Sequence, residues 1–181
     1  MTTSKELECY CQKIMAAGAT HALVTTTSSV VTAPWVRLKC QYGCENYGKS
    51  YCCPPHTPTP YETRRILDSY HRAILMHLQW TKGVQTGHQI KNFLNAVIEA
   101  EADLFLDNFY RAFCMLGGPC LLCKECALLQ NKPCNFSKRA RPSMESCGID
   151  VHSTAHNNNL PLSVLKTEEE TRNIYCLLLV D

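Results

Sequence analysis

Apolar residues first recur with helical spacing at Leu7, Cys11 and Ile14, and Gly18 follows them, so residues 3–17 read as a short helix that stops at the glycine. Residues 22–27 and 30–39 are rich in β-branched side chains and are separated by Ser28-Ser29. They read as two strands of a hairpin, the second running straight into Cys40. The proline-rich stretch from Pro54 to Pro60 has to be extended and stiff. Thr59-Pro60-Tyr61-Glu62 then carries a capping-box signature with proline at the first helical position, predicting a helix to about Ser69. Residues 73–80 form an apolar, strand-sized run. From 88 to 113 the residues Ile90, Phe93, Leu94, Val97, Ile98, Leu104, Phe105, Phe109 and Phe113 keep the 3.6-residue period, with Glu101 as the one polar break and Gly117-Gly118-Pro119 as the stop. A short helix over 150–157 and a strand over 174–180 complete the series.

Runs of strands interleaved with helices, without a regular βαβ alternation, predict an α+β fold. The expected form is a mostly antiparallel sheet of about four strands packed with helices, with cysteine-rich metal-binding loops gathered at one end. At 181 residues the chain fits a single domain, residues 1–181, with a hydrophobic core. Apolar residues make up 45%, charged residues 19%, and the net charge is +2. That balance describes a globular protein and argues against a general nucleic-acid-binding role, which needs a strong basic field. No apolar run is long enough to span a bilayer, and residues 1–8 carry acids and lack an apolar stretch, so neither a membrane span nor a secretory signal is expected and the reading is cytoplasmic.

Thirteen cysteines change this ordinary picture. In a chain without an export signal, clustered thiols point to metal ligation rather than to a disulfide scaffold. One group is Cys120-x2-Cys123-x2-Cys126 with Cys134 further on. Its first three cysteines match the ferredoxin run C-x2-C-x2-C-x3-C-P, in which the loop turns around a cubane and presents a thiolate at each step. The fourth is displaced, and Pro133 precedes it instead of following. Four thiolates also suit structural zinc, but zinc sites arrange them as two C-x2-4-C pairs, so an iron–sulfur cluster, of the 4Fe-4S type, is favoured with zinc as the alternative. The segment 120–147 has little apolar periodicity, and a metal centre would organise it.

The other group is Cys40-x3-Cys44-x7-Cys52-Cys53, followed by Pro54-Pro55. Adjacent cysteines rarely both reach one small centre. Cys53 is the favoured ligand because the prolines stiffen its side, and Cys52 is the alternative. This leaves Cys40, Cys44 and Cys53 as three ligands with an undecided fourth position, for which Cys147 and His56 are the further candidates. Cys114 at the helix end is read as core, and Cys9, Cys11 and Cys176 as ordinary buried thiols. Lys138, Arg139 and Arg141 follow Cys134, where they read either as cationic donors that would raise a cluster's potential or as a solvated basic loop. Ser143 is placed to cap a turn. Glu99/Glu101 and Glu168-Glu169-Glu170 read as solvated helix faces, and no nucleotide-binding or hydrolase motif is present.

The stretches Cys40-Gln41-Tyr42-Gly43-Cys44-Glu45-Asn46-Tyr47-Gly48-Lys49, Cys53-Pro54-Pro55, Gly118-Pro119-Cys120-x2-Cys123-x2-Cys126 and Arg141-Pro142-Ser143-Met144-Glu145-x2-Gly148-Ile149-Asp150-Val151 together resemble a prokaryotic family described only as cysteine-rich predicted metal-binding proteins. The similarity runs from about residue 20 to the end of the chain. It implies metal binding, of the iron–sulfur kind, in a bacterium or archaeon, and brings no reaction with it. Three functions follow from the residues. One is an iron–sulfur protein in electron transfer or an accessory role, with a redox partner protein. The second is an iron–sulfur enzyme whose open-coordination cluster acts on a small substrate. The third is a zinc-stapled structural or interaction module.

Overall fold

The structure is a computed structural model that describes residues 4–81 and 86–181. The first residue of the predicted 3–17 helix, and the N-terminal part of the segment tested for a signal, lie outside them. Helix α1 (Ser4–Ala16) leads into β1 (His21–Thr26), α2 (Pro34–Gly43), α3 (Pro60–Leu67), β2 (Arg72–Trp80), α4 (Thr86–Leu106), β3 (Phe113–Met115), α5 (Val151–Asn157) and β4 (Arg172–Leu179). The four strands form one sheet in the order β1-β2-β4-β3, every neighbour antiparallel, and the fold is α+β as expected.

Strand periodicity sorts the core into two layers. Ile74, Met76 and Leu78 of β2, with Cys176 and Leu178 of β4, face α1 and α4, where they pack with Leu7, Ile14, Phe93, Val97 and Leu104. Ala73 and Leu75, with Tyr175, Leu177 and Leu179, face the other way onto Leu67, Met144, Cys147, Ile149 and Ala155. This second face is covered by α3, α5 and the turn that carries Met144 and Cys147. Of the helices described, none is long and apolar enough to cross a membrane.

Three elements differ from the sequence expectation. Residues 30–39 are not a strand and form no hairpin with β1, whose partner is β2. In place of the expected strand pairing only a bridge, Thr32 to Ile149, is formed, and Pro34 then occupies the first turn of α2. A proline inside a β-branched run removes a ladder donor and starts a helix without loss, which decides between the two readings. The long helix stops at Leu106 instead of Phe113. Asn108 takes a left-handed conformation (φ 72°) and the Phe109 N–H returns to the Leu104 carbonyl, a helix-ending turn that frees Phe113 to begin β3. The cysteine groups therefore leave a helix, α2, and a strand, β3, the reverse of the order expected.

The third difference is Glu101, which is no solvated residue. It lies largely buried against Arg141, with Arg141 Nε 2.9 Å from Glu101 Oε2, and also accepts the Cys114 N–H at 2.7 Å. Burial alone would raise its pKa, but Arg141 and Cys114 hold it below the usual carboxylate value. The pair joins α4 to the segment that returns from the second cysteine group. The capping box at Thr59 forms as predicted, with the Glu62 N–H donating to Thr59 Oγ1 and the Thr59 N–H to Glu62 Oε2.

Candidate metal centre

Cys40 and Cys44 are one helical turn apart at the end of α2, the i, i+4 spacing that puts both on one helix face, with Cys44 as the residue that caps it. The chain then winds through tight turns, in which the Tyr47 N–H bonds the Cys44 carbonyl and the Gly48 N–H the Pro54 carbonyl. Gly48 has a φ of 73°. A final turn closes from the Cys53 N–H to the Ser50 carbonyl (3.0 Å), and the Cys52 N–H is taken by the Ser50 hydroxyl (3.2 Å). Such a turn sends its neighbouring side chains in different directions. Pro54-Pro55 is cis and leads away to α3.

The outcome is two cavities rather than one. Cys40, Cys44 and Cys53 line a cavity of about 150 Å³, together with Pro54, Gly118, Pro119, Ser143 and Glu145. Cys120, Cys123, Cys126 and Cys134 line another of about 180 Å³, and the fifth cysteine in its wall is Cys52. Asn46 borders both. Cys52 and Cys53, which the sequence offers as alternatives for one position, thus face different cavities. The two loops are tied together by the Tyr51 hydroxyl, which donates to the Lys132 carbonyl at 2.9 Å, and by the Cys52 and Cys120 side chains, which are within hydrogen-bonding reach of one another.

All thirteen cysteines are free thiols. Among the described residues, no three Cys, His, Asp or Glu side chains converge on one point as the ligands of a single ion would. The thiols stand around space instead. Burial raises the pKa of Cys40, with Arg37 partly opposing it, and burial with the neighbouring Cys44 and Cys40 raises that of Cys53. The contact between Cys52 and Cys120 raises the pKa of Cys52 and lowers that of Cys120. The second cavity also has Lys49, Lys124 and Glu125 in its wall, whereas the first has Glu145 and no cationic side chain.

The two further candidates for the undecided position stand apart. His56 is exposed, edge-on to Tyr51 at 5.9 Å between ring centres, and Cys147 is buried in the core with Met144 and Ile149; neither lines either cavity. Cys114, Cys11 and Cys176 are buried core thiols as expected, but Cys9 is exposed on α1. The cations expected beside the second group are engaged elsewhere: Arg141 pairs with Glu101 and Arg139 donates to Asn95 Oδ1 at 3.1 Å. Ser143 does cap a turn, accepting the Ser146 N–H at 3.1 Å.

Glu145 was no candidate on sequence grounds. It opens a 3₁₀ turn, Glu145–Cys147, that packs on α2, and the Cys40 thiol lies 4.0 Å from its carbonyl. Although the residue as a whole is only half-buried, its carboxyl oxygen Oε2 is sealed from solvent and has no hydrogen-bond partner. Burial raises the pKa of the group, opposed by hydrogen bonds from its own backbone, the Ser143 side chain and the Gly118 backbone. The only sequence sign of such a role is the position of an acid two residues before Cys147, which spacing rules for cysteine motifs do not weigh.

A third, wider cavity of about 450 Å³ adjoins the first. It shares Cys40, Cys44 and Glu145 with it, and is otherwise lined by Trp35, Lys39, His152, Leu162, Asn173 and Tyr175 among others. His77 stands behind this wall, stacked on Tyr175 with ring centres 4.5 Å apart, and its Nε2 is 2.7 Å from Asn173 Oδ1.

The profile of a family described as "Predicted metal-binding protein (DUF2284)" matches residues 24–180 of the chain. No curated protein and no solved structure matches it.

Proposed function

The chain belongs to this family of predicted metal-binding proteins, and from that premise we propose that its two cysteine-lined cavities hold iron–sulfur clusters. The observation that carries the reading is the sorting of eight cysteines into a set of three and a set of five around two separate spaces. A single tetrahedral zinc would draw four thiolates, each about 2.3 Å from the ion, to within roughly 4 Å of each other. The dispersed donors here suit a larger inorganic unit better. The donor chemistry fits too, since soft thiolates select iron–sulfur centres, and the Cys-x2-Cys-x2-Cys run follows the ferredoxin spacing.

Cys120, Cys123 and Cys126 would hold one cluster, with Cys134 or Cys52 completing it. Cys40, Cys44 and Cys53 would hold the other. Clusters in such sites supply one-electron transfer, and neighbouring cavities joined through Cys52-Cys53 make a short path between them. The protein is then an electron carrier or accessory redox protein, working with a redox partner protein. A second reading, an enzyme with an open position at the three-cysteine site, is favoured by the 450 Å³ groove that reaches Cys40, Cys44 and Glu145 from outside.

Anaerobic purification tests the proposal. The expected protein is brown and contains iron and acid-labile sulfide in equal amounts. Colourless protein with stoichiometric zinc and no sulfide would replace the proposal with a zinc-stapled module.

A further inference from the structure

We infer that Glu145 is the fourth donor of the Cys40/Cys44/Cys53 site, binding the metal that the three thiols leave incompletely coordinated through carboxylate oxygen Oε2. The inference rests on the cluster reading of that cavity and assigns the position the cysteines do not fill.

Three observations converge on this residue. It supplies the one carboxylate in the cavity wall, which contains no imidazole and only three thiols. Its Oε2 is sealed from water and unpartnered among the described residues. A buried carboxyl oxygen in that condition costs free energy, and a bond to a cation is the ordinary way to recover it. The group is also held in place. Its backbone is fixed in the 3₁₀ turn packed on α2. A rigid support of this kind orients a metal-binding carboxylate. The rival donors are excluded by position, His56 being exposed and Cys147 lying in the core.

A carboxylate is a harder and more exchangeable ligand to iron than a thiolate. Glu145 also borders the groove with Lys39 and His152 in its wall. The metal it holds is therefore the one that a small anion entering the groove would reach.

The test compares Glu145→Gln, Glu145→Ala and Glu145→Cys with the parent protein, all purified anaerobically and shown to fold by circular dichroism. The measurements are iron and sulfide per chain and the Mössbauer spectrum. Gln keeps the size of the side chain and loses the anionic donor, so folding failure in the Ala variant leaves the test intact. The expected result is loss of about one iron per chain in Gln and Ala with sulfide unchanged, and full iron in Cys with one iron subsite altered. Unchanged iron and spectra in Gln and Cys would overturn the role of Glu145 while the cluster reading stands. A parent protein whose iron is untouched when Cys40 and Cys44 are both replaced by Ala would overturn the cluster in this cavity, and Glu145 with it.

Discussion

The cavity around Cys40 and the cavity around Cys120 share Asn46 and the Cys52-Cys53 step, yet they offer a metal different things. The first is walled by three cysteines and a buried carboxylate, presented from the end of a helix and from a 3₁₀ turn, and it abuts a groove. The second has five cysteines and two lysines in a segment with little regular structure. A site with more thiols than a cluster needs is suited to keeping it. A site with fewer, and with a route to the outside, is suited to using it. On the proposed reading, the difference would put electron storage at Cys120 and any substrate chemistry at Cys40.

The sharpest way to break this comparison is at two adjacent residues. Cys53→Ala removes a thiol from a cavity without a spare, and about half of the chain's iron and sulfide is expected to go with it. Cys52→Ala leaves four thiols in the second cavity, and both clusters are expected to remain. Iron and sulfide analysis of the two variants decides it; equal losses in both would mean the cavities act as one site.

The next largest effect concerns the support of the second region. Arg141→Ala leaves Glu101 largely buried without its cation, and a loss of about 3–5 kcal/mol in urea unfolding is expected. Glu101→Gln, which also weakens the Cys114 N–H contact, is expected to fall in the same range. A loss below about 1 kcal/mol would mean the pair behaves as a surface salt bridge.

In the first region the matching support is Gly148, which ends the 3₁₀ turn carrying Glu145 with φ 78°. An added Cβ would meet the Pro60 ring, 2.9 Å from its Cα. Gly148→Ala is expected to cost on the order of 1–3 kcal/mol and to lower the iron content of the first site before that of the second. Mössbauer spectra of the variant would reveal which cluster is depleted.

The smallest effect is on pH. His77 is fully buried against His21, Tyr175 and Asn173, and burial lowers its pKa from 6.5. Its unfolded form takes up a proton first. The contribution of His77 is therefore fully present above pH 6.5, declines as pH falls below it, and levels off once the lowered folded-state value is passed. His77→Gln is expected to flatten this part of the stability profile, measured by thermal unfolding between pH 7 and 5.

What could be read from the chain follows from how local each signal is. The β2 and β4 runs, α3 with its capping box and α5 are written in contiguous residues, and the structure has them within a few positions. Residues 30–39 misled because β-branched composition outweighed the single proline that governs the segment. The end of α4 misled because Phe109 and Phe113 keep the helical period by chance beyond the Asn108 turn. The grouping of cysteines by spacing matches what the fold brings together, except at Cys52, where one residue of separation in sequence becomes separation into two cavities. Glu145 carries no signal that cysteine spacing weighs. Its burial depends on Gly118 and on α2, which only the folded chain brings to it.

The central claim is that two distinct clusters occupy two cavities. It is tested most directly by iron and acid-labile sulfide per chain in Cys40→Ala/Cys44→Ala and Cys123→Ala/Cys126→Ala, purified anaerobically beside the parent protein. The account predicts about eight iron and eight sulfide in the parent, about half in each double variant, and variant Mössbauer spectra that add up to the parent's. Zinc in place of iron, or loss of the same whole centre in both variants, would contradict it.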